Sequence, residues 1–231
     1  MSIHRGARGT GASLAARRQT VCGVVAGPVF ISVFTVLGAR RAGYDWRRHA
    51  VSSLAAGRDG WVQRANFMLV GCLYCIAARG LARGPRRVVG SALVPALTVG
   101  AGVGLIGSGL FVTDPVAGFP PAEDAANGAV VVPTLGGQLH NLCAIPIFIG
   151  IPAAALLSAG SAARRREHRW AGYCAGSAVA MAGTCALFGA AFGGAPQVAR
   201  HGGVLQRISI ATGMGWLTAL ASRALHAAAE R

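Results

Sequence analysis

The chain carries an acid at Asp114, an imidazole at His140 and a hydroxyl at Ser52, the three group types that proton transfer or hydrolysis needs. Asp114 and His140 would form an acid/base pair, and Ser52 would supply a nucleophile. Tyr44, Asp45, Arg48, His49, Asn141 and Arg207 add hydrogen-bonding and cationic groups, of which Arg48 or Arg207 suits a phosphate or carboxylate. Two or three histidines together with Asp114 also have the ligand types of a metal site. The set as it stands calls for no metal or cofactor. A plainer reading stays open beside these: Asp114 caps a helix or pairs with Arg47 or Arg48, and His140 hydrogen-bonds at a helix start.

Elements must bring such scattered residues together, and composition says which. Of 231 residues 53% are hydrophobic and 13% charged, whereas a soluble domain carries roughly 25% charge. No charge interrupts Gln19 to Ala39, Val88 to Thr113, Ala125 to Ala163 or Trp170 to Ala199, and about 20 apolar residues cross a bilayer. Trp61 to Ala82 and Val204 to His226 hold arginines only near their ends, where the side chain can reach the interface. The expected fold is therefore an all-α, polytopic transmembrane bundle of about six spans, near 20–38, 61–82, 88–113, 138–160, 170–192 and 204–226. They form one domain over 20–226, with a basic tail at 1–19 and a short tail at 227–231. The first apolar run is too long for a signal peptide and reads as an uncleaved helix.

The net charge of +15 comes from 22 arginines without a lysine. They sit in short clusters between apolar runs rather than along one aromatic-lined groove, which argues against nucleic acid as a partner. On alternate sides of six spans the arginines divide fourteen to eight, and five of the seven acids lie on the poorer side. By the positive-inside rule both termini are then cytoplasmic. Tyr44, Asp45, His49, Ser52, Asp114, His140, Asn141 and His201 all fall on the opposite, outer side, so the chemically able residues share one interface. No span has an ionisable group near its middle, which argues against an ion-driven pump.

Several motifs read as packing. Gly102, Gly104 and Gly107 match the spacing of a dinucleotide-binding loop, but they lie within one apolar span with no strand before them. Gly100, Gly104 and Ser108 in the third span, and Gly172, Gly176 and Ala180 in the fifth, repeat small residues every four positions, and the two stripes are candidates to pack on each other. Pro146 and Pro152 predict a kink in the fourth span. The six cysteines lie within spans, and Cys72 and Cys75 lack the second pair of a zinc site. Tyr44, Trp46 and Trp61 read as interfacial anchors on one side, Trp170 and Tyr173 on the other.

Taken together, Gly43-Tyr44-Asp45, His49-Ala50-Val51-Ser52, Gly60-Trp61 with Gln63, and Ala65-Asn66-Phe67 form a connected pattern. It continues through Gly104-Leu105-Ile106-Gly107, Phe111-Val112-Thr113-Asp114-Pro115, Gly118-Phe119-Pro120, Leu139-His140, Leu205-Gln206-Arg207 and Trp216. In these pieces the chain resembles the bacterial domain-of-unknown-function 998 family of membrane proteins. The resemblance implies the six-helix topology and adds Asn66 and Gln206 to the candidate ligand-binding residues. It departs at Asn141 and in a longer loop from Ala122 to Gly137. The leading functional expectation is binding or processing of a lipid or other hydrophobic small molecule at an outer-leaflet pocket made by the first loop and the third, fourth and sixth spans. Membrane lipids are the expected partners, and the oligomeric state is open. Two alternatives remain: a membrane-embedded acid/base enzyme, either a lipid hydrolase or an isoprenoid cyclase, and a non-catalytic scaffold or export auxiliary using the glycine faces.

Overall fold

The computed structural model describes residues 4–84, 86–121 and 133–229, with side chains described from Leu14 onward and not at 86–87. Most of the expected long loop before the fourth span, including Asn127 and Gly128, lies outside the described residues. Those described are helical apart from connecting turns. The helices are α1 (His4–Arg40), α2 (Trp61–Arg83), the short α3 (Arg86–Val89), α4 (Leu93–Leu110), α5 (Leu135–Phe148), α6 (Gly150–Arg164), α7 (His168–Phe192) and α8 (Gly202–Ala229). Two 3-10 turns, Ser52–Ala55 and Arg58–Gly60, shape the loop between α1 and α2.

Among the described residues, five segments are long and apolar enough to cross a membrane: Leu14–Arg40, Arg58–Arg83, Leu93–Leu110, Leu135–Arg164 and His168–Phe192. Helix α8 has the length, but Gln206, Arg207, Ser209, Thr212, Thr218, Ser222 and Arg223 dilute its apolar character. Its buried face supplies the fully enclosed Trp216 and Leu220.

Small residues set the crossings. A β-carbon on Gly102 would come within 2.7 Å of the Gly71 carbonyl of α2, and one on Gly104 would overlap the Cys143 carbonyl of α5. Helix α4 is thus wedged between α2 and α5, and the dinucleotide-like glycine pattern is the wedge. Gly80 of α2 meets Thr20 and Ala16 of α1, and Gly213 of α8 meets Met181 of α7, in the same manner. The expected pairing of the third-span and fifth-span glycine stripes does not occur. A β-carbon on Gly172 or Gly176 would meet no neighbouring atom within 4 Å, because α7 turns Cys174, Ser177, Ala178, Met181 and Phe188 inward instead.

One span is shorter than the sequence suggests, and another is broken where its prolines predict a kink. The third is a helix over Leu93–Leu110 only. Gly90, at φ +89°, separates it from α3, and the Ser158 and Ser161 hydroxyls donate to the Val89 and Gly90 carbonyls across the break. The fourth is divided at Ile149, between Pro146 and Pro152. Each proline deprives the carbonyl four residues earlier of its usual donor, so the helix is weakest between them.

Hydrogen bonds sort the connections to two ends. Arg207 and Gln206 of α8 bond the 41–60 loop, and His140 of α5 bonds Phe111 after α4. At the opposite end Arg83 bonds Gln19, and Arg223 pairs with Glu167. The polar residues singled out above all lie toward the first of these ends.

Candidate functional site

The 41–60 loop is built around one tyrosine and one arginine. A turn closed by the Asp45 carboxylate, which accepts from the Arg47 N–H at 2.9 Å, brings the chain back so that buried Tyr44 reaches the Ala50 carbonyl with its hydroxyl at 2.9 Å. The Arg207 guanidinium donates to that hydroxyl at 2.6 Å and to the Trp46, His49 and Gly203 carbonyls at 2.7, 3.2 and 3.0 Å. Gly203 is required where the loop meets α8, since a β-carbon there would lie 2.5 Å from both the His49 and Trp46 carbonyls. No carboxylate pairs with Arg207 among the described residues. Its charge is spent on carbonyl dipoles and one phenol.

His49 is buried, stacked on Phe119 with ring centroids 5.0 Å apart. Its Nδ1 accepts the Asp45 N–H at 2.9 Å, so the neutral ring carries its proton on Nε2. Burial pulls its pKa below the ordinary imidazole value, against the opposing pull of Asp45. Burial likewise raises the Tyr44 phenol, an effect that Arg207 opposes.

Beneath this loop lies a cavity of about 530 Å³. Val51 and Ser52 roof it; Ser108 of α4, His140 and Asn141 of α5, Phe188 of α7 and Gln206 of α8 form its sides. Phe30, Phe67 and Met214 lie deeper. Gln206 accepts the Val51 N–H on Oε1 at 2.7 Å, and His140 has Nδ1 2.9 Å from the Phe111 carbonyl oxygen. The Ser52 hydroxyl makes no hydrogen bond among the described residues. The size lies within the roughly 300–1,000 Å³ of small-molecule sites.

Asp114 is placed differently. Its carboxylate accepts from the Thr134 hydroxyl at 2.6 Å and the Thr134 N–H at 3.1 Å, while the Thr134 oxygen accepts the Gly137 N–H at 3.0 Å. Asp114 and Thr134 together cap α5. Gly137 must lack a side chain, as a β-carbon there would overlap the Asp114 carboxylate. No hydrogen bond joins Asp114 to His140 among the described residues, and Asp114 is not in the cavity wall.

A family model described as Protein of unknown function (DUF998) matches residues 24–223. The chain belongs to the DUF998 family. No curated protein and no solved structure matches it. The apolar helices make this DUF998 member a multi-pass membrane protein.

Of the candidate residues in this DUF998 chain, Ser52, His140, Asn141 and Gln206 share the cavity. Tyr44, Asp45, His49 and Arg207 build the loop above it. Arg48 is exposed. Asn66 faces α1 instead, donating to the Phe30 carbonyl and to the Gln63 side chain at 3.2 Å each. The metal alternative finds no ligand set, for among the described residues no three His, Cys, Asp or Glu side chains could hold an ion. Three contributors escaped the sequence reading. Thr134 announces itself only as a hydroxyl just before a helix, Phe119 as part of a family motif, and the apolar wall from Phe188 and Met214 carries no signal apart from ordinary span residues.

Proposed function

We propose that this DUF998 protein sits in a bacterial plasma membrane and binds a lipid or other hydrophobic small molecule in the cavity beneath its first loop, at the outer leaflet. One observation supports the reading above the others: Ser52, Ser108, Thr113, His140, Asn141 and Gln206 line a single cavity whose remaining walls are mostly apolar. Such a wall buries a hydrophobic body, and a few convergent polar groups orient its head. The acid/base version has less behind it, since Asp114 and His140 would have to share a proton and each is bonded elsewhere.

The test is mass spectrometry of what co-purifies from mild detergent with the wild type and with Ala144→Phe, which fills the cavity from α5. Loss of one bound species in the variant supports the reading; an identical lipid profile would sink it. A scaffold reading is favoured by the open face at Gly172 and Gly176. It is distinguished by Gly172→Leu abolishing function in cells while Ala144→Phe does not.

A further inference from the structure

Among the described residues, the cavity wall contains no arginine, lysine, aspartate or glutamate. The two charges nearest in sequence to its polar residues are already engaged: Arg207 with three carbonyls and Tyr44, and Asp114 with Thr134. The helix ends that could serve an anion are engaged as well. Thr134 and Asp114 cap α5, and the Val204 N–H in the first turn of α8 donates to the Arg47 carbonyl at 3.1 Å. An anionic head buried here would have no countercharge, and an unpaired buried charge is strongly disfavoured.

The uncharged polar atoms are specific. Since Gln206 Oε1 is taken by a backbone donor, its amide nitrogen is left to donate. With Nδ1 of the neutral His140 ring donating to the Phe111 carbonyl, Nε2 is left as an acceptor. Ser52 can do either. A hydroxyl, which donates once and accepts twice, answers both Gln206 and His140. A carbonyl or ether would leave His140 unmet, and an ammonium would leave Gln206 unmet.

The apolar part runs inward. From Gly202 at the head of α8 to Met214 in the cavity wall is about 18 Å of helix, which reaches about the middle of a bilayer core. Ile145 and Ile149 line the cavity and are also exposed on the outer face of the bundle, so the cavity reaches the surface that acyl chains would cover.

We infer that the occupant is an uncharged single-chain amphiphile whose head is a hydroxyl, held between Gln206, Ser52 and His140 with its chain toward Met214. The inference rests on the cavity being a ligand site, and the experiment separates the two. Purified full-length protein in detergent at pH 8 is offered three probes with one chain length: hexadecanol, palmitate and hexadecyl phosphate. Hexadecanol is expected to bind at least about tenfold more tightly than either anion, with Ala144→Phe abolishing its binding. Ser52→Ala and Gln206→Glu should each weaken it about five- to tenfold, the effect of one lost hydrogen bond. The Ser52 hydroxyl makes no hydrogen bond among the described residues, so its variant tests the head contact even if Gln206→Glu disturbs the loop. Equal or tighter binding of an anion that Ala144→Phe abolishes overturns the hydroxyl assignment and leaves the cavity reading intact. Binding of no probe, or binding indifferent to Ala144→Phe, overturns the cavity reading itself.

Discussion

Arg207 shows how a residue suited to a ligand can be consumed by the fold. Its five N–H donors suit a phosphate or carboxylate, yet they hold the first loop against α8. Arg207→Lys cannot reproduce that fork and should lower stability by about 2 kcal/mol, read as a fall in thermal midpoint in detergent. Arg48→Ala, at an exposed position, should change it by less than about 0.5 kcal/mol. His49 gives the loop a pH dependence. An unfolded histidine protonates near pH 6.5, and the folded ring resists protonation because it is buried and accepts the Asp45 N–H. The loop is therefore fully stable above that pH and loses stability as pH falls from there toward the depressed folded-state value. Melting curves between pH 7.5 and 5 should show this fall, and His49→Gln should flatten it. The types and the shared side of these residues were legible in the sequence. Their division into loop-builders and cavity-liners was not, because it depends on which carbonyls the loop brings within reach of Arg207 and Tyr44.

Among the helices, glycine stripes looked alike in sequence and proved unequal. Gly104→Leu would drive a side chain into the Cys143 backbone, and a destabilisation of about 3 kcal/mol or failure to fold is expected from such overpacking. Gly172→Leu, with nothing within 4 Å, should leave the thermal midpoint unchanged or slightly raised. Period alone cannot tell these apart, since α7 could meet its neighbours with either face. A cap is also an element-scale device. Asp114→Ala should cost about 1–2 kcal/mol through the start of α5 and leave ligand retention at the cavity unchanged, whereas His140→Leu should lower retention. Thermal melts and co-purification on the two variants separate cap from site. The kink from Pro146 and Pro152 was legible because proline acts locally. The shortening of the third span was less so, since Val88 to Thr113 is uniformly uncharged and Gly90 stands out only once its φ is positive.

At the scale of the molecule, the all-helical multi-pass fold and the gathering of polar residues toward one end followed from where charges interrupt the apolar runs, whereas only five of the about six expected spans are apolar enough to cross a membrane among the described residues. Which end faces outward is a separate matter, and it gives a direct prediction. Alkaline phosphatase fused after Arg231 should be inactive and fused at Asp59 active, as a cytoplasmic terminus and an outer first loop require; the reverse pattern would invert the protein. The break at Ile149 has a further consequence. Helix α5 is docked mainly on α4, whereas α6 is docked on both α4 and α7, so α4 is the neighbour that joins the two halves of one crossing. A change in α5 that shifts α4 is therefore passed to α6 even though the chain between them is broken.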